Sequence, residues 1–144
     1  MMNYKNGFTL IEVLFVLSVW SVILILSAPL HFSILEKQKE ANFMKTLEMD
    51  LLYMQSKSYN SRSYFRLTFT GNESYFIAED YHIKSLVQRK IPEGWKINYL
   101  TMSSIAFNNE GTVIEPGAIT IQTKSNKYKV TCPLGKGRCY IVKQ

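Results

Sequence analysis

Between Val13 and Leu30 the sequence has no charged side chain, and after Pro116 it has no aspartate or glutamate. It has two histidines, His31 and His82, and two cysteines, Cys132 and Cys139. So few ligating side chains exclude a histidine pair at metal spacing, and a zinc site at the two cysteines would need two further ligands, with His82 the only candidate imidazole in the globular part. No glycine-rich loop precedes a helix to cradle phosphate, and no serine sits in a nucleophile elbow. These absences point away from an enzyme and away from a metal or other cofactor. There is no internal repeat and no low-complexity tract.

The uncharged run is about as long as the helix needed to cross the hydrocarbon core of a bilayer. It is joined to a very short polar leader through Lys5-Asn6-Gly7-Phe8-Thr9-Leu10-Ile11-Glu12. Counting Phe8 to Ile11, the apolar stretch extends to about 25 residues and encloses Glu12. A carboxylate at the centre of a membrane helix costs on the order of 3 kcal/mol, less near the interface, so such a group usually has a partner or a function. No lysine or arginine in the rest of the run supplies that partner. A signal anchor whose Glu12 reaches toward the headgroups is the plain alternative. A cleaved secretory signal fits poorly, because Leu26 is bulky where Leu26-Ser27-Ala28 would need a small residue.

Gly7-Phe8-Thr9-Leu10-Ile11-Glu12 resembles the type IV prepilin signal. The resemblance implies that a membrane peptidase cuts between Gly7 and Phe8, that the new amine of Phe8 is methylated, and that Glu12 is the assembly carboxylate. In that family the carboxylate meets the N-terminal amine of a neighbouring subunit, so two charges that are costly alone in lipid neutralise each other on assembly. The implied division is a leader at 1–7, a transmembrane and filament-core helix at 8–35, and an extracytoplasmic globular domain at 36–144. The implied location is a single pass through the cell membrane with the N-terminus cytoplasmic, and the cell surface after assembly. Lys5 on the short side agrees weakly with that orientation.

Pro29 removes a helix hydrogen bond and predicts a kink rather than a stop, since helical patterning resumes after it. His31 beside it reads as an interfacial polar residue. From Glu36 to Asn60, Ala41, Met44, Leu47, Leu51 and Met54 recur at spacings of three and four. Lys37, Lys39, Glu40, Lys45, Glu48, Asp50 and Lys57 fall largely elsewhere. This face is expected to pack on a sheet. Tyr64 to Thr70 alternates as a strand, and Gly71-Asn72 reads as a hairpin turn into Tyr75 to Ala78. A meander is expected after it, with strands at 82–87, 96–100, 104–107, 119–123, 128–131 and 138–142. Glycine- and proline-bearing turns separate them, Gly135-x-Gly137 among these. The fold class is therefore α+β, a pilin-like lollipop in which one long N-terminal helix packs on an antiparallel sheet spanning 64–143.

Outside the membrane, Cys132 and Cys139 are expected to form a disulfide, closing a short loop worth roughly 2 to 3 kcal/mol. Within the pilin family the chain is most similar to minor pilins of the competence pilus of naturally transformable Gram-positive bacteria, of the ComGD type. The residues behind this are Phe43, Leu47, Asp50 to Tyr53 and Gln55 on the outer helix, Arg89-Lys90-Ile91-Pro92, and Gly135-Lys136-Gly137-Arg138. Secretion pseudopilins share much of this plan. The resemblance implies a role in pilus assembly and DNA uptake, with other pilins, the prepilin peptidase and the membrane as partners. The net charge is +6, and Lys124, Lys127, Lys129, Lys136, Arg138 and Lys143 are candidate contacts to DNA phosphates, with Tyr128 and Tyr140 placed to stack on bases. Lysines alternating along an exposed edge strand, which keep that edge from pairing, are the simpler reading of the same residues.

Overall fold

The computed structural model describes residues 8–79, 85–135 and 137–144, the side chains at 26–33 excepted. One helix, α1, runs from Leu10 to Ser61. Eight strands follow: β1 Phe65–Thr70, β2 Ser74–Glu79, β3 Ser85–Lys90, β4 Lys96–Tyr99, β5 Ser104–Phe107, β6 Gly117–Gln122, β7 Lys127–Cys132 and β8 Tyr140–Lys143. The chain divides into two compact units, up to Gln38 and from Lys39 onward.

No glycine interrupts α1, and the helix continues through position 29. It ends where Arg62 turns to a φ of 52°, the left-handed residue that commonly closes a helix. The Ser58 hydroxyl donates to the Ser63 carbonyl at 2.8 Å and also to that of Asn108, tying the helix end to the loop after β5.

The strands form two four-stranded antiparallel sheets, ordered β3-β2-β1-β5 and β4-β6-β7-β8. This corrects the expected single sheet and simple meander. After β1-β2-β3, the turn at Pro92 to Gly94, with Gly94 at a φ of 83°, sends β4 into the second sheet. The chain then returns to the first as β5, which pairs with β1. Alternation on one sheet face says which residues are buried but not which sheet they line. The strand at 104–107 lies where it is expected, and the boundaries of the others fall within three residues of the expected ones. The first part of the expected strand at 82–87 lies outside the described residues, His82 with it, and β3 runs instead to Lys90.

The core joins the outer helix to both sheets. Met44, Leu47, Leu51 and Met54 of α1 are buried with Phe65, Leu67, Tyr75, Ile77, Ile105 and Phe107 of the first sheet and Ile97, Ile119, Ile121 and Val130 of the second. Phe43 packs edge-on against Trp95 and Tyr75. The hairpin turn after β1 has a structural task beyond reversal, since the Asn72 side chain accepts a 2.7 Å bond from the Ile97 amide of the second sheet.

Candidate functional site: the N-terminal helix and the polar anchors of the domain

Phe8 and Thr9 precede α1, and the Thr9 carbonyl accepts from the amides of Glu12 and Val13 at 3.1 and 3.2 Å. Glu12 therefore stands in the first turn, where the positive end of the helix favours a carboxylate. Among the described residues no cation pairs with it. From Phe8 to Ile25 every side chain is exposed, apolar ones on all sides of the helix. An all-round apolar helix is stable only against other helices or lipid. Ser18 and Ser21, the polar side chains after Glu12, donate back to the carbonyls of Phe15 and Ser18 at 2.7 and 2.8 Å. Their hydroxyls are thus satisfied without water. Among the described residues no helix is long and apolar enough to cross a membrane. Gly7 lies outside the described residues, as do the side chains of Pro29 and His31.

In the unit from Lys39 onward, two carboxylates of α1 are buried, Glu40 at 3% exposure and Asp50 at 6%. The helical pattern places both, with the helix lysines, largely away from the packed stripe. Glu40 accepts from Thr123 Oγ1 at 2.5 Å, Asn126 Nδ2 at 2.6 Å and Tyr128 Oη at 3.3 Å. Burial alone would raise its pKa, but those three hydrogen bonds and the charge of Lys143 more than offset it, and the carboxyl sits below its ordinary value. Asp50 takes a hydrogen bond from Tyr75 Oη at 2.8 Å and two from Arg89, Nε at 3.0 Å and Nη2 at 3.2 Å. Burial, then the Asp50 carboxylate, pushes the Tyr75 phenol well up. The same carboxylate raises Arg89. Sequence periodicity missed both groups because their partners come from β2, β3 and the β6–β7 region. The one available signal was chemical, since each carboxylate lies within one helical turn of the buried stripe.

Cys132 and Cys139 are joined by a disulfide with Cα atoms 4.2 Å apart. No cysteine is left for a metal, and among the described residues no group of three metal-ligating side chains occurs. The bridged loop lies against the helix. Gln55 Nε2 donates to the Gly111 carbonyl at 3.2 Å, and a Cβ at Gly137 would fall 2.5 Å from that same nitrogen.

Among the described basic C-terminal residues, Arg138 and Lys127 line different recesses. Arg138 lines a groove of about 410 Å³ with Leu52, Gln55, Tyr59 and Glu110, while Lys143 acts on Glu40. Lys136 lies outside the described residues. Lys127 and Lys129 belong to β7, which is interior to its sheet, so the edge-strand reading of these two lysines is corrected. Tyr128 points to Glu40 and is not free to stack on a base.

Residues 2–28 match the model of the prokaryotic N-terminal methylation motif. The described structure is similar to the type IV minor pilin FimU of Pseudomonas aeruginosa, with a TM-score of 0.56 and 13% identity over 72% of this chain and 90% of that one. It is also similar to the minor pseudopilin EpsH of the type 2 secretion system of Vibrio cholerae, with a TM-score of 0.54 and 13% identity over 72% of this chain and 95% of that one.

The fold is pilin-like. At such identity the likeness carries the helix-on-sheets architecture, and the motif independently marks the N-terminus. No curated protein matches the sequence. In the compact unit from Lys39 onward, Glu40 and Asp50 fasten α1 to the strands.

Proposed function

We propose that this chain is the precursor of a minor pilin or pseudopilin, and that its filament is the competence pilus of a transformable Gram-positive cell, serving pilus assembly and DNA uptake. The observation that carries the assembly reading is the methylation motif joined to a helix whose side chains from Phe8 to Ile25 are all exposed, Glu12 being the one charged group among them. A prepilin peptidase hydrolyses the Gly7–Phe8 bond, and a methyl group is transferred to the freed amine of Phe8. The mature helix is held in the membrane until assembly exchanges lipid for neighbouring helices. The Glu12 carboxylate then meets a neighbour's N-terminal ammonium, and the pair is neutral only when subunits stack in register.

The intact mass of the protein from cells with and without active prepilin peptidase tests this directly. Loss of Met1 to Gly7 with gain of one methyl group is expected only in the first. Persistence of the full-length chain in both strains sinks the proposal. A type 2 secretion pseudopilin is the second reading, favoured by the likeness to EpsH. Deleting the gene separates the two, because transformation is lost under the first and export of secreted proteins under the second.

A further inference from the structure

The second sheet has one face in the core, and its other face carries exposed side chains around Ala118 and Thr120 of β6, which are buried. Ile97, Ile119, Ile121 and Val130 are buried, so the residues alternating with them stand on the opposite face. Register places Lys96 of β4 beside Gln122 of β6, and Gln122 beside Lys127 of β7. Lys129 follows on the same face, and Tyr140 of β8, paired with Thr131 of β7, is 48% exposed. Three of the four strands, β4, β7 and β8, carry lysines, and none of the four carries aspartate or glutamate. Lys96 and Lys127 stand two strand spacings apart, about 10 Å, and Lys127 and Lys129 about 7 Å apart along one strand. A polar recess of about 270 Å³, lined by Gln122, Lys124, Lys127 and Gln144 among others, adjoins this row.

We propose that this outer face binds single-stranded nucleic acid, with phosphates on Lys96, Lys127 and Lys129, a base stacked on Tyr140, and base edges met by Asn98 and Gln122. Spaced positive points with no carboxylate among them suit a regularly charged polyanion. Amide side chains and an exposed phenol ring beside them suit unpaired bases, which offer both edge and face. Duplex DNA hides its base faces in the stack, so it would meet the lysines but give the Tyr140 ring nothing to stack on. Lys96 is distant in sequence from the basic C-terminal residues and joins them only through strand pairing. The inference does not depend on filament assembly.

The test uses the full chain in uncharged detergent micelles and a fluorescent oligothymidylate, titrated over a range of salt. The wild type is expected to prefer it to a duplex and to a base-free polyglycerol phosphate of equal charge. Lys96→Gln, Lys127→Gln and Lys129→Gln together are expected to reduce the log–log salt slope by about two, at about 0.7 per phosphate contact. Lys45→Gln with Lys57→Gln on the helix leaves it unchanged. Tyr140→Leu weakens binding about tenfold while Tyr140→Phe does not. An unchanged slope in the triple variant, equal affinity for the base-free polymer, or indifference to Tyr140→Leu each overturns the proposal. The Tyr140 arm stands apart from the lysine arm, so a fold defect in one leaves the other decisive. Peptidase processing is measured in the same strains, so failure of the assembly reading is seen separately.

Discussion

Glu40 and Asp50 lie ten positions apart on α1, and each is a carboxylate removed from water and satisfied by side chains from the strands. Because the folded pKa of Glu40 lies below its ordinary 4.5, the proton is bound more weakly in the folded state. The stabilisation is complete above 4.5 and is lost as pH falls through the lower folded value. Glu40→Gln should lower stability at pH 7 by about 1 to 2 kcal/mol and flatten the acid limb of the stability curve. Urea midpoints at pH 7 and at a series of pH values below 4.5, compared for the two proteins, check both effects. If the variant keeps the wild-type acid limb, the destabilising protonation occurs elsewhere.

Asp50 behaves differently because one of its partners reaches solvent, the Arg89 side chain being 47% exposed. Water can replace part of that guanidinium, so Arg89→Met should cost only about 1 to 2 kcal/mol. Asp50→Ala strands the buried Tyr75 hydroxyl as well and should cost about 2 to 4 kcal/mol. Guanidinium denaturation of the single and double variants measures this. The double loss should fall short of the two single losses added together, as expected for groups in one network.

Among the elements, the C-terminal hairpin is held by a covalent link and by one close approach. Closing a loop of this separation removes unfolded-state entropy worth about 2.5 kcal/mol, so Cys132→Ser with Cys139→Ser should lower the Tm by about 10 °C. A thermal scan with and without reductant reads the same change in the wild type, and identical scans would mean that the bridge adds nothing. Gly117 opens β6 where the β4–β5 connection crosses it. A Cβ there would lie 2.8 Å from Met102 Cβ and 2.9 Å from Thr101 Oγ1, and the Ala118 amide bonds that Thr101 hydroxyl at 2.8 Å. Gly117→Ala should therefore cost about 1 to 3 kcal/mol by overpacking, read as a shifted denaturation midpoint with an unchanged slope.

Among the described residues, the buried core lies in the unit from Lys39 onward. That unit expressed alone should be soluble and unfold cooperatively, because it keeps both sheets, both buried carboxylates and the disulfide. The full chain should need detergent, since its exposed apolar side chains from Phe8 to Ile25 have no covering surface of their own. Sedimentation and circular dichroism of the two forms check this. Aggregation of the short form would mean that the earlier residues are part of its folding unit.

Local patterning by itself determined the long helix, its buried stripe at Met44, Leu47, Leu51 and Met54, the alternation of β1, and the N-terminal motif around Glu12. Each of these depends on residues within a few positions of one another, where helical and strand periods act. Tertiary structure alone decided the partition of the strands into two sheets, the burial of Glu40 and Asp50, and the meeting of Lys96 with Lys127 across Gln122. The strand partners of the two carboxylates lie 25 to 88 positions away, Lys96 meets Gln122 only through the pairing of β4 with β6, and strand pairing and desolvation depend on what the chain brings together in space. The same physics turned Tyr128 inward to Glu40 and left Tyr140 outward. Both are tyrosines on strands of one sheet, and only the register of β7 against β8 distinguishes them.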